Sequence, residues 1–131
     1  MDLKDLTPEN DTVVCTVVHP IKREPLKNDD GSDMTIELYA PYSDEYKKIM
    51  FEQQNKRLAK AKGGKIDIKA EELDEASVEL LSKVTKSWDI TFGGEKPKLS
   101  PTKAKEIYKE VFWIRTQLED SIDDSLSFMM K

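Results

Sequence analysis

Apolar and polar positions along the chain alternate between two periods. Val13-Val14-Cys15-Thr16-Val17-Val18 is a short run rich in β-branched residues, which predicts a strand rather than a helix. Met34-Thr35-Ile36-Glu37-Leu38-Tyr39 alternates strictly, placing Met34, Ile36 and Leu38 on one face. Between them lie Pro20, Pro25 and the polar cluster Asn28-Asp29-Asp30-Gly31-Ser32-Asp33, in which Asp-Gly is a hairpin signal. Residues 13–39 are therefore predicted to form an antiparallel hairpin, with a further extended arm around Ile21–Leu26.

Helical spacing follows. Ser43 is a candidate N-cap for a helix over about 44–62, with Asp44 and Glu45 suited to the positive end of its dipole and Gly63-Gly64 closing it. Its apolar positions Tyr46, Ile49, Met50, Leu58 and Ala61 are sparse. From 70 to 88, Leu73, Ala76, Leu80, Val84 and Trp88 recur at intervals of three or four, with Ser77 and Leu81 flanking them. A turn or short hairpin carrying Gly93-Gly94 and Pro97 leads to Ser100-Pro101, where a serine N-cap precedes proline at the first helical position. One helix is predicted from there over about 100–128, with the stripe Ala104, Ile107, Tyr108, Val111, Ile114, Leu118 and Ile122. The expected fold is mainly α within an α+β class: an N-terminal β-hairpin packed on about three helices. Residues 1–12 form a flexible arm and 13–131 a single domain whose core holds Leu80, Val84, Trp88, Ile107, Val111, Ile114 and Leu118.

Composition sharpens this layout. Of 131 residues, 37% are apolar and 36% charged, with a net charge of −5, against about 25% charged in an average soluble domain. Core material is scarce, and it is unevenly distributed: 1–12 and 44–69 are poor in it, 73–88 and 104–130 well supplied. The longest uncharged apolar run falls far short of the roughly 20 residues that span a bilayer, so no membrane partner is expected. The acidic start Met1-Asp2-Leu3-Lys4-Asp5 lacks a basic n-region and apolar h-region, which predicts a cytoplasmic protein. One cysteine and one histidine supply neither an internal disulfide nor a four-ligand zinc site.

The chemistry-bearing patterns are weak. Cys15 and His19 share one side of the predicted strand but sit about 13 Å apart along it, too far for a nucleophile–base pair. Asp29–Asp33 has the look of a calcium loop, yet Ala40 stands where its bidentate acid belongs. Gly63-Gly64-Lys65 is followed by isoleucine and lacks the earlier glycine of a phosphate-binding loop. No catalytic residue, metal site or cofactor is predicted, and the chain reads as a non-enzyme.

Charge segregation carries more. Lys47, Lys48, Lys56, Arg57, Lys60, Lys62, Lys65 and Lys69 face two acids in the same stretch, Glu52 and Asp67; then Glu71, Glu72, Asp74, Glu75 and Glu79 follow with no base among them. One reading of segment 47–69 is a nucleic-acid-binding or regulatory module, although Phe51 alone supplies an aromatic ring for base stacking there. The other is head-to-tail self-association, which by its heterologous nature builds rings or spirals. The apolar C-terminal residues Phe128, Met129 and Met130 suit either packing back onto the core or a tolerant binding surface.

Trp88-Asp89-Ile90-Thr91-Phe92-Gly93-Gly94, then Leu99-Ser100-Pro101 and Ala104, then Phe112-Trp113-Ile114-Arg115 with Gln117, Ser121-Ile122-Asp123-Asp124 and Phe128 together resemble the tail assembly chaperones of long-tailed, HK97-like bacteriophages. The likeness covers about 13–129 in layout and 88–128 in residue detail, and it makes Trp88, Pro101, Trp113 and Phe128 structural positions. It implies a non-enzymatic morphogenesis factor that self-associates and coats the tape measure protein in the cytoplasm of the bacterial host, and that is absent from the mature virion. It further implies a frameshift-extended product that recruits the tail tube protein. Lys56, Arg57, Lys60, Phe128 and Met129 are the candidate residues for partner binding or self-association.

Overall fold

The computed structural model describes residues 2–3, 11–60 and 69–127. Among them the order is β1 (Thr12–Thr16), β2 (Thr35–Tyr39), α1 (Asp44–Lys60), α2 (Ala70–Val84), β3 (Thr85–Asp89), α3 (Pro101–Glu110) and α4 (Ile114–Ser127). The class is α+β: a three-stranded antiparallel sheet in the order β1-β2-β3, with four helices among the described residues. Most of the expected N-terminal arm and the expected helix end at Gly63-Gly64 lie outside the described residues.

The hairpin forms as its alternation predicts. β1 pairs with β2 in the register Val13↔Leu38 and Cys15↔Ile36, so Cys15, Ile36 and Leu38 all turn into the core. Ile36 and Leu38 are fully buried. The arm around Ile21–Leu26 is not a strand of its own, because Pro25 cannot donate to a ladder. It is held by a bridge from Val18 to Pro25, by the Leu26 N–H donating to Val17 O at 3.0 Å, and by the Met34 N–H donating to Leu26 O at 2.9 Å.

Three expectations need correction. The helix predicted to run to Trp88 stops at Val84, and Thr85–Asp89 becomes β3, paired with β2 at Ile36↔Trp88. The spacing of Val84 and Trp88 suits a helix, but Thr85 and Trp88 also suit a strand, and β2 offers an open edge that decides the matter. The helix predicted over 100–128 is broken at Val111–Trp113. There the Val111 N–H donates to Ile107 O at 2.8 Å and Val111 turns to φ −96°, ψ 66°. An unbroken helix over 101–127 would be about 40 Å long, while strands of this length reach roughly 17 Å. The break returns Ile114, Leu118 and Ile122 to the same core as Ala104, Ile107 and Tyr108.

The third correction is one of phase in α2. Val78, Leu81, Ser82 and Val84 are its buried residues, whereas Leu73 and Leu80, on the predicted stripe, are exposed and half-buried. The Leu73–Ala76–Leu80 side faces α1, whose Gln53 Nε2 donates to Ala76 O at 2.7 Å. Of the predicted core, Val84, Ile107, Ile114 and Leu118 are buried, while Leu80, Trp88 and Val111 pack at its margin.

Local signals hold where they were clearest. Ser100 Oγ accepts from the Lys103 N–H at 3.1 Å, with Pro101 opening α3. Gly93 and Gly94 take φ 65° and 82° between the bridged Phe92 and Glu95, the left-handed pair that a type I′ turn requires. Trp88 stacks edge-on against Tyr108 at 6.4 Å and donates from Nε1 to Pro97 O at 2.9 Å. Trp113 packs half-buried at the α3–α4 corner.

Tyr108 is fully buried, and its hydroxyl lies 2.7 Å from Thr85 Oγ1, which itself donates to Leu81 O at 2.7 Å. Thr85 has one proton, so Tyr108 is the donor between the two hydroxyls. Thr85→Val therefore strands a buried phenol and is expected to cost about 1–3 kcal/mol, whereas Tyr108→Phe leaves Thr85 bonded to Leu81 and costs about 1 kcal/mol. Urea unfolding of the two variants checks this asymmetry, and equal losses would refute it.

Candidate interaction surface

The residues that looked chemical from sequence have structural work. Cys15 is buried with Sγ toward Gln117 O at 3.7 Å, and burial pushes its thiol pKa up, which suppresses the reactive thiolate. His19 Nδ1 accepts the Ile21 and Lys22 N–H groups, each at 3.1 Å, and so holds the tight turn in which Arg23 takes φ 61°. No hydrogen bond joins the two residues. The Asp29–Asp33 cluster is a turn built around buried Asn28. Its Nδ2 reaches Ser32 Oγ at 3.1 Å and Asp89 O at 3.2 Å, and its Oδ1 accepts from Thr91 at 2.6 Å. Lys96 Nζ lies 3.0 Å from both Asp30 and Asp89. An ammonium thus occupies the position between the acids, and no group of metal-ligating side chains occurs among the described residues.

The surface features worth attention lie on α1. Ser43, itself buried, caps the helix by accepting the Tyr46 N–H at 3.1 Å, and its own hydroxyl donates to Ala40 O at 2.6 Å. This double tie fixes how the helix leaves the sheet. Tyr46 is buried, and Ile49 and Met50 pack against the core. The opposite side carries Lys47, Lys48, Phe51 and Leu58, all exposed. Phe51 and Leu58, two turns apart on that outward side, are 58% and 65% exposed. A helix with one apolar side needs one covering neighbour; α1 has a second apolar strip with nothing described upon it.

Among the predicted partner residues, Lys56 bends back to Glu79 at 3.4 Å. Arg57 is exposed and makes no ion pair among the described residues. The Lys60 side chain, Phe128 and Met129 lie outside the described residues, as do Lys62 and Lys65 of the basic segment. Of the predicted set only Lys56 and Arg57 have described side chains, both on α1, which also carries the exposed Lys47, Lys48 and Phe51. A signal for Phe51 was present, since at about 100° per residue it falls, with Leu58, opposite Tyr46, Ile49 and Met50.

The acids have two distinct fates. On α2, Asp74 meets Arg115 at 2.7 Å and Glu75 meets Lys109 at 3.7 Å, lining an open cleft of about 580 Å³ with Ala70 and Glu71. These pairs tie α2 to both sides of the α3–α4 corner. On α4, Ile114, Leu118 and Ile122 face the core, so Glu119, Asp120 and Asp123 look outward and are exposed. Glu119 accepts from the Ser77 hydroxyl at 3.1 Å. The Tyr46 phenol is pushed up in pKa first by burial and then by Asp123 and Glu119, which places the start of α1 beside this acidic strip. Gln117 secures α4 to the sheet. Its Oε1 accepts the Val18 N–H at 3.0 Å and its Nε2 donates to Val18 O at 2.9 Å.

Comparison of the chain with protein-family models, with curated proteins and with solved structures finds no match. No helix among the described residues is long and apolar enough to cross a membrane.

Glu79 joins three helices electrostatically. Its carboxyl is held below the ordinary range chiefly by the hydrogen bond from Lys83, with the charges of Lys83, Lys56 and Lys105 adding to it. A depressed folded-state pKa gives stability that is present above the unfolded value of about 4.3 and is lost as pH falls through the folded value. Glu79→Gln should therefore flatten the acid limb of the stability–pH curve while leaving its shape above about pH 6 unchanged. Urea midpoints across that range test it; an acid limb identical to wild type would remove Glu79 from this role.

Proposed function

We propose that the protein is a non-enzymatic assembly chaperone of the kind that serves long-tailed bacteriophages. It self-associates and coats the tape measure protein in the host cytoplasm, and it leaves before the virion is complete. The observation that carries this reading is the solvent-facing pair Phe51 and Leu58 on α1, with Lys47 and Lys48 on the same exposed side. An elongated helical client exposes apolar strips along its length, and an apolar strip with a cationic rim covers such a surface without any covalent chemistry. The resemblance running from Trp88 to Phe128 supports the same reading. A frameshift-extended product that recruits the tail tube protein belongs to it as well.

The test is co-production with the tape measure protein of the same genome. The client is expected to move into the soluble fraction with wild-type protein and to return to the pellet with a Phe51→Asp, Leu58→Asp variant. Both positions are exposed, so that variant should keep its fold, which circular dichroism checks. A client that stays insoluble beside the wild-type protein would overturn the proposal. Binding to duplex DNA near physiological salt that weakens steeply as salt rises, from a protein that stays monomeric, would favour the nucleic-acid reading of segment 47–69 instead.

A further inference from the structure

Most charged side chains that approach one another on this surface are matched within the chain: Lys27 with Asp33, Lys96 with Asp30 and Asp89, Lys109 with Glu75, Arg115 with Asp74. Two groups stand apart. On α1, Lys47, Lys48 and Arg57 are exposed and enter no ion pair among the described residues; on α4, the same is true of Glu119, Asp120 and Asp123. They are opposite in sign and do not meet within one copy. The Tyr46 side of α1 is buried against the core, whereas Lys47, Lys48, Phe51 and Leu58 lie on its exposed side.

The order of residue types also matches. Along α1 the cations Lys47 and Lys48 precede the exposed apolar residues Phe51 and Leu58. From Glu119 onward the acids Glu119, Asp120 and Asp123 precede Leu126, Phe128, Met129 and Met130 in the sequence. We infer that the outward face of α1 in one copy seats segment 119–130 of a second copy, lysines against acids and Phe51 and Leu58 against the apolar residues that follow the acids. This names the contact behind the self-association in the function proposed above and rests on that part of it; client and neighbouring segment are alternative occupants of the α1 strip, the segment covering it until a client takes its place. The two surfaces differ, so the contact is heterologous: every copy that donates its C-terminal segment still offers its own α1, and the series continues into a ring or an open spiral. Part of the attraction is between exposed charges, which salt screens within about 10 Å at 0.1 M; the apolar part persists.

Light scattering over a concentration series, without any client, reads this directly. The mass of the wild-type protein should rise with concentration and fall as salt is added. Lys47→Glu with Lys48→Glu in one variant, and Asp120→Lys with Asp123→Lys in another, should each weaken association by on the order of tenfold. An equimolar mixture of the two should recover it, because the acids of the first meet the lysines of the second. Phe128→Ala with Met129→Ala should weaken association at high salt as well as low. All four reversed positions are exposed, and thermal unfolding verifies that both variants fold. A wild-type protein that is monomeric throughout, reversed-charge variants that associate like wild type, or a mixture that does not recover would each overturn the contact. The chaperone reading is separable: a soluble client beside reversed-charge variants that associate normally sinks this contact alone. An insoluble client together with the expected masses sinks the chaperone reading alone.

Discussion

With only 37% of its residues apolar, this chain can build one packed centre, and the inner face of β2 is where that centre gathers. Ile36 and Leu38 are fully buried there, and Val17, Val78, Val84, Ile107, Tyr108 and Leu118 close around them at 2% exposure or less. Elements far apart in sequence must all reach this one place. That requirement ends α2 at Val84 so that β3 can pair with β2, and it breaks the C-terminal helix at Val111–Trp113 so that both halves return to the same core. Polar groups drawn in with them are partnered, as Thr85 and Tyr108 are with each other and Asn28 is with Ser32, Asp89 and Thr91.

The same scarcity explains the surface. α1 gives Tyr46, Ile49 and Met50 to the core in its first half, and from Gln54 to Ala59 its side chains are exposed. Two large apolar residues are nevertheless kept on the outward side of this helix. In a chain so short of core material, Phe51 and Leu58 are costly places to leave in water. Lys47 and Lys48 near them, and Glu119, Asp120 and Asp123 on α4, enter no ion pair among the described residues, and the contact proposed between copies would cover both groups.

Much of this was legible in the sequence wherever the signal was local. Alternation in 34–39, the Asp-Gly turn, the caps Ser43 and Ser100, and the Gly93-Gly94 hairpin each depend on a few adjacent residues, and each appears in place. What was not legible depends on competition between distant elements. Val84 and Trp88 fit a helical period as well as a strand, and the open edge of β2 settles the choice. The stripe from Ala104 to Ile122 is continuous through the break, because residues on both arms of the corner face one core. α2 carries two apolar strips, and the sequence does not say which meets the sheet and which meets α1. Asn28 and Gln117 are polar residues whose partners lie 61 and 99 positions away, beyond any local pattern. On the candidate surface, charge segregation pointed to α1, while the outward position of Phe51 needed the phase of the helix.

On the proposal made above, α1 is finished by another molecule rather than by its own core. Hydrogen exchange of the full-length protein at low and high concentration addresses it most directly. Amides of β1, β2 and β3 should be protected equally at both, while those of α1 around Lys47–Leu58 and of α4 around Glu119–Asp123 should gain protection together as concentration rises. Protection of α1 that equals the sheet's and does not change with concentration would contradict the account.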